Sequence, residues 1–154
     1  MTTDARFEDA ADEAPLRLAA ETPADVEVLS ALVQDSVFPG SEMEYDIRAN
    51  RFAVLLNRYR WERDEQPPER VQSVLAIDAV TSVRSTGFDR ADRNQIFSLL
   101  AVGVEEGDPD QKAVLTLAGE AEIVVTLKAI SISLQDVTRP YRAPSGQVPA
   151  HKVD

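Results

Sequence analysis

Positions 58 to 63 place Arg58, Tyr59, Arg60, Trp61, Glu62 and Arg63 in succession, three guanidinium groups and two aromatic rings around one carboxylate, and Trp61 is the only tryptophan of the chain. Flat rings that lose little rotamer entropy, interleaved with planar forks that grip carboxylates, have the composition of a protein-docking hot spot. The same interleaving suits stacking of nucleobases on Tyr59 and Trp61. Local charge argues against nucleic acid: residues 51–70 hold five arginines (51, 58, 60, 63, 70) and four acids (Glu62, Asp64, Glu65, Glu69), a net of only +1.

Side-chain parity leaves two readings of this segment. Along "RFAVLLNRYRWE", Phe52, Val54 and Leu56 share one face of an extended chain, Arg58 and Arg60 continue that face, and Tyr59 and Trp61 fall on the other. Either a bulge near Asn57 resets the face and makes the rings core, or the strand runs past the core and turns both sides outward. Large aromatics are on average buried, which favours the first reading. The arginine content favours the second.

Other catalytic equipment is sparse. His151 is the only histidine, so a histidine-containing triad or a multi-histidine metal site within one chain is ruled out. Zero cysteines exclude disulfides, thiolate ligands and a cysteine nucleophile. No GxSxG, phosphate-binding glycine loop or GxGxxG occurs. Asp89, Asp92 and Asn94 of "DRADRN" could offer oxygens to calcium, but the spacing is not that of a calcium loop and two arginines interrupt it. Glu42, Glu44 and Asp46 alternate along one side of a strand, where a solvent-facing surface explains them without the desolvation that tunes a catalytic acid. No catalytic residue, no metal ligand set and no cofactor is assigned, and the reading leans away from an enzyme.

With 154 residues, 44% hydrophobic and 28% charged, the chain fits one domain with a core large enough to fold alone. The formal net charge of -11 repels polyphosphate and makes nucleic acid a poor partner. Arginine supplies 13 of the 16 basic residues, which suits carboxylate or phosphate recognition and equally a GC-rich genome. No apolar run reaches the roughly 20 residues that span a bilayer, and the acidic N-terminus lacks a secretory apolar centre, so no membrane association and a cytoplasmic location are expected.

Residues 1–15, with five acids and one arginine, and residues 139–154, with three prolines and one glycine, read as tails around a single domain at 16–138. The first tail carries -4 and the second +2, so the domain itself carries -9. "LRLAA" (16–20) suits a short strand. Thr22, Pro23 and Asp25 then start a helix over 23–35, with Val26, Val28, Leu29, Leu32 and Val33 on one broad face. Residues 42–47 alternate strictly, and a four-residue loop at 48–51 would set Ile47 opposite Phe52, Tyr45 opposite Val54 and Met43 opposite Leu56. One long strand from about Val71 to Val83 follows, then a charged connection. "IFSLLAVGVE" is apolar on both parities, as in a central strand covered on two sides. "KAVLTLA" and the long run "EIVVTLKAISISLQDV" read as further strands, and the glycine of "LAGEAE" marks a hairpin between them.

The segments "SALVQDSV", "RFAVLLNRYRWE", "ERVQSVLAIDAVTSVRSTGFDRAD" and "SLLAVGVE", in that order, resemble an alphaproteobacterial family of small acidic proteins, the domain-of-unknown-function family 2948. The resemblance covers roughly residues 16 to 136. It implies no substrate, cofactor or catalytic residue.

These readings converge on an α+β domain, a mostly antiparallel sheet of about six or seven strands with one N-terminal helix packed on it. A partly closed barrel resembling a pleckstrin-homology domain is the preferred special case, although the C-terminal helix of that architecture is not visible in the sequence. Two functions compete. One is a non-catalytic interaction module that docks a protein partner or a second copy of itself through Arg58–Arg63. The other is a binder of small anionic ligands, or an unassigned enzyme, with a pocket between helix and sheet and arginine on the anion.

Overall fold

The computed structural model describes residues 14–62, 68–107 and 109–142. Arg63, His151 and nearly all of both expected tails lie outside those residues. The chain runs β1 (Arg17–Ala20), α1 (Pro23–Val33), β2 (Ser36–Pro39), a 3-10 turn (Gly40–Glu42), β3 (Met43–Asp46), β4 (Arg51–Tyr59), β5 (Glu69–Ile77), β6 (Val80–Thr86), β7 (Ile96–Glu105), β8 (Gln111–Leu117), β9 (Ala121–Leu127), β10 (Ile132–Asp136) and β11 (Tyr141–Arg142). The architecture is α+β, with the strands of one antiparallel sheet ordered β1-β10-β5-β4-β2-β7-β8-β9-β6, β3 beside β4 and β11 beside β5. That path ends at β1 and β6, so the sheet is not closed and the barrel expected as a special case does not form. The described residues contain eleven strands rather than six or seven: two long runs break, and β2 and β11 add one each.

The first break falls at Asp78–Ala79, where the expected 71–83 strand divides. Ala79 takes a left-handed backbone (φ 59°), and the chain leaves β4 and β10 to join β9. The second separates β9 from β10, which returns to pair with β5 and β1. At the hairpin in "LAGEAE", Gly119 and Glu120 both take positive φ (84° and 62°), the backbone that a tight turn with the sheet's twist requires. β11 pairs with Arg70 and Glu69 of β5, so part of the expected C-terminal tail belongs to the sheet.

The β3–β4 hairpin keeps the expected parity, with a register displaced by two. Tyr45 faces Phe52 and Met43 faces Val54, while Asp46 faces Arg51. The Asp46 carboxylate accepts from the Ala49 N–H at 3.1 Å and Asn50 takes φ 54°, so the turn closes at 47–50 and leaves Ile47 71% exposed.

The helix starts as expected: Thr22 accepts from the Asp25 N–H, and the Asp25 carboxylate accepts from the backbone of Glu21 and Thr22. The Glu21 and Thr22 bonds hold the Asp25 carboxyl below its ordinary pKa. The helix ends at Val33, two residues early, because Asp35 turns left-handed (φ 63°) to donate its N–H to Leu99 O. Val26, Leu29 and Val33 enter the core with Phe38, Leu56, Leu75, Leu99 and Leu115, whereas Val28 is exposed. The two apolar parities of β7 have a different cause from the expected two-sided cover. Its register against β8 shifts between Leu99 and Ala101, so Phe97 and Leu99 point inward before the bulge and Val102 after it.

Candidate functional site

At the end of β4 the pairing with β5 runs without a bulge from Phe52↔Ile77 to Tyr59↔Arg70. Arg58 therefore continues the inward row of Phe52, Val54 and Leu56, and its side chain is 0% exposed. It meets a matched set of acceptors. Its two terminal nitrogens donate to Glu62 Oε1 and Oε2 at 2.8 and 3.0 Å, one of them also to Asp136 Oδ1 at 2.9 Å, and Nε donates to Ser73 Oγ at 3.1 Å. Ser73 Oγ donates in turn to Asp136 Oδ1 at 2.7 Å, and Asp136 Oδ2 accepts from Leu16 N at 2.9 Å. A cation in the core is tolerated because each of its faces finds a carboxylate, hydroxyl or carbonyl.

Burial by itself would lower the Arg58 pKa, but the hydrogen bonds and charges of Glu62 and Asp136 outweigh it and raise the guanidinium above its ordinary value. Burial pushes the Glu62 carboxyl up, and the Arg58 guanidinium, helped by Arg60, draws it below the ordinary carboxylate value. Arg60 is likewise buried, its Nε 3.7 Å from Glu62 Oε2, and donates to Glu69 Oε1 at 2.6 Å. Tyr59 is also buried, its ring edge-on to Trp61 with centroids 4.7 Å apart, and Trp61 donates Nε1–H to Gln34 O at the end of α1 at 2.7 Å. Neither sequence reading anticipates this arrangement: both faces of the strand end are covered without a bulge. Arg58, Tyr59 and Arg60 turn inward; Trp61 and Glu62 reach solvent in part. Asp136 and Ser73, which complete the cluster, carry no local signal in the sequence.

A second arrangement lies where β6 and the β3–β4 hairpin diverge. They meet at one end through Val80 N–H to Asn50 O at 2.9 Å. Beyond that contact a cleft of about 410 Å³ opens, within the range of small-molecule sites. Met43, Tyr45, Phe52, Val83 and Ile123 give it an apolar lining, and Phe88 stands beside them. This is not a pocket between helix and sheet; its walls come from β3, β4, β6, β9 and the 87–95 connection.

The connection is held in place from three directions. Gly40 N–H donates to Gln95 O and Ser41 N–H to Arg93 O, both at 2.9 Å, and a Cβ on Gly40 would come within 3.2 Å of Asp92 O. Asp89 and Asp92 accept from the N–H groups of Ala91 and Asn94, which uses these acids to shape turns. Phe88 packs edge-on against Phe97 at 4.7 Å, which contacts Phe38 at 5.4 Å. Among the described residues no group of three or more metal-ligating side chains comes together.

The exposed Arg90 and Arg93 thus stand on a braced loop beside an apolar floor, with Glu44 on the β3 lip. Neither arginine forms an ion pair with a described residue; Arg93 makes one long hydrogen bond to Ser41 O at 3.3 Å. In the sequence these two arginines only interrupt a poor calcium motif. The Phe88-x-Arg90-x-x-Arg93 spacing acquires meaning once β3 and β9 bring apolar side chains next to it.

Among the described residues no helix is long and apolar enough to cross a membrane. The model of a family described as "Protein of unknown function (DUF2948)" matches residues 16–151, nearly the whole chain. No curated protein and no solved structure matches it.

Proposed function

Taking as premise that the chain belongs to the DUF2948 family, whose description carries no activity, we propose from its own side chains that it binds a small anionic amphiphile in the β3–β6 cleft. The acyl or aromatic body of the ligand lies on Phe52, Val83 and Ile123 against Phe88, and its carboxylate or phosphate meets Arg90 and Arg93. One observation carries this reading: two arginines without ion-pair partners among the described residues stand at the edge of an apolar cleft. Each buried methylene contributes about 0.8 kcal/mol, and a charge-assisted hydrogen bond roughly 1.5–3 kcal/mol. Head and tail therefore contribute comparably, and both are needed for tight binding.

Thermal denaturation with octanoate, and with octanol as the uncharged control, tests the proposal. Ligand at about 100 times its dissociation constant adds about 2.7 kcal/mol, which at this chain length raises the midpoint by roughly 5–10 °C. Octanoate should give that rise and octanol little. Arg90→Ala/Arg93→Ala should abolish the difference between them. Equal responses to the two ligands, or an unchanged octanoate response in the double variant, would overturn the assignment.

A further inference from the structure

The outer face of the sheet carries a second feature, which shares only Glu44 with the cleft. Two depressions of about 340 and 270 Å³ share Glu42 and Leu55 and form one groove across β5, β4, β2 and the start of β7. Alternation would make this face polar. Instead Leu55 and Val74, directly opposite each other, join Val37 and Ile96 in an apolar floor, and Ile96 is 63% exposed. Glu42 and Glu44 stand along the wall that the 3-10 turn and β3 provide, with Asp46 beyond them. Neither glutamate forms an ion pair with a described residue, and Arg51, the one cation among the described lining residues, is engaged by Asp78 at 2.7 Å. Asn57 lines the second depression with a side-chain oxygen that has no hydrogen-bond partner among the described residues.

We infer that this groove docks a basic amphipathic segment of a partner protein. Apolar side chains of that segment would cover Leu55, Val74, Val37 and Ile96, and its lysines or arginines would face Glu42 and Glu44. Charge complementarity selects this occupant. A second copy would bring the same acids together on a chain of net charge -11, and a nucleic acid would meet the same repulsion.

The test uses two synthetic 14-residue amphipathic helices, one of leucine and lysine and one of leucine and glutamate, titrated into the ¹⁵N-labelled full chain. The lysine peptide should shift the amides of Val37, Leu55 and Val74, and the glutamate peptide should not. Glu42→Lys/Glu44→Lys, at two exposed positions, should weaken the lysine peptide at least tenfold and gain binding of the glutamate peptide. Leu55→Asp should lose the lysine peptide, with amide dispersion reporting that the fold is intact. Shifts confined to other surfaces, no exchange of preference in the charge-reversed variant, or self-association that Leu55→Asp abolishes would each overturn the inference.

Discussion

Arg58 and Asp136 stand 78 positions apart in the chain and 2.9 Å apart in the interior, joined a second time through Ser73. The pair fastens the end of β4 to β10, and through Leu16 N–H it also holds the approach to β1. Such a pair stabilises little relative to an apolar replacement, but losing one partner strands the other charge in the core. Asp136→Asn and Arg58→Met should each cost about 3–5 kcal/mol in urea unfolding. The double variant should cost less than the sum, with a coupling of roughly 2 kcal/mol. Trp61 sits beside the network and supplies the fluorescence readout.

Glu62 gives the network its pH dependence. Its folded pKa is depressed, so its contribution is complete above its ordinary value of 4.5 and is lost as pH falls through the lower, folded value. In Glu62→Gln the fall of stability with acid should be shallower below that point. At neutral pH the variant should cost about 1–2 kcal/mol, reduced by the partial exposure of the side chain. Urea midpoints collected from pH 3 to pH 7 for the two proteins measure both effects.

The backbone at two turns makes opposite demands. Ala79 holds φ 59°, a region that costs an L-residue roughly 1–2 kcal/mol, so Ala79→Gly should stabilise by about 0.5–1 kcal/mol after the entropy of glycine is subtracted. Gly87 holds φ 87°, and a Cβ there would lie 2.6 Å from Glu120 O and 2.7 Å from Ala121 Cα. Gly87→Ala should destabilise by about 2 kcal/mol or more and shift the amides of Phe88 and Arg90. Calorimetry and a single heteronuclear spectrum check the pair.

Trp61 closes the end of the helix. Its indole N–H satisfies Gln34 O, one of the carbonyls that a helix C-terminus leaves without an intrahelical partner. Trp61→Phe should cost about 1–3 kcal/mol, and the faster hydrogen exchange it causes should be concentrated in the last turn of α1.

What the sequence discloses is local. Thr22, Pro23 and Asp25 mark the helix because capping acts within one turn, and the 43–46 and 52–56 alternations mark a hairpin because side chains alternate every residue. The hairpin register slips by two because the turn closes at 47–50 rather than 48–51, with Asp46 accepting from Ala49 N–H and Asn50 left-handed. The break at Ala79 is silent, since alanine carries no turn preference. At the candidate sites the decisive contacts are distant in sequence. "NRYRW" looks like an offered surface until Asp136 and Ser73 arrive from other strands, and "FDRADR" looks like a solvated loop until Ile123 and Met43 stand next to it.

Isotope-filtered nuclear Overhauser spectroscopy on the ¹³C-labelled protein with unlabelled octanoate reads out the proposed binding of an apolar chain with an anionic head in the β3–β6 cleft. Cross-peaks from the ligand methylenes to the rings of Phe52 and Phe88 and to the methyl groups of Val83 and Ile123 are predicted, and they should disappear in Arg90→Ala/Arg93→Ala. Cross-peaks to a different surface, or none at ligand concentrations in the millimolar range, would contradict it.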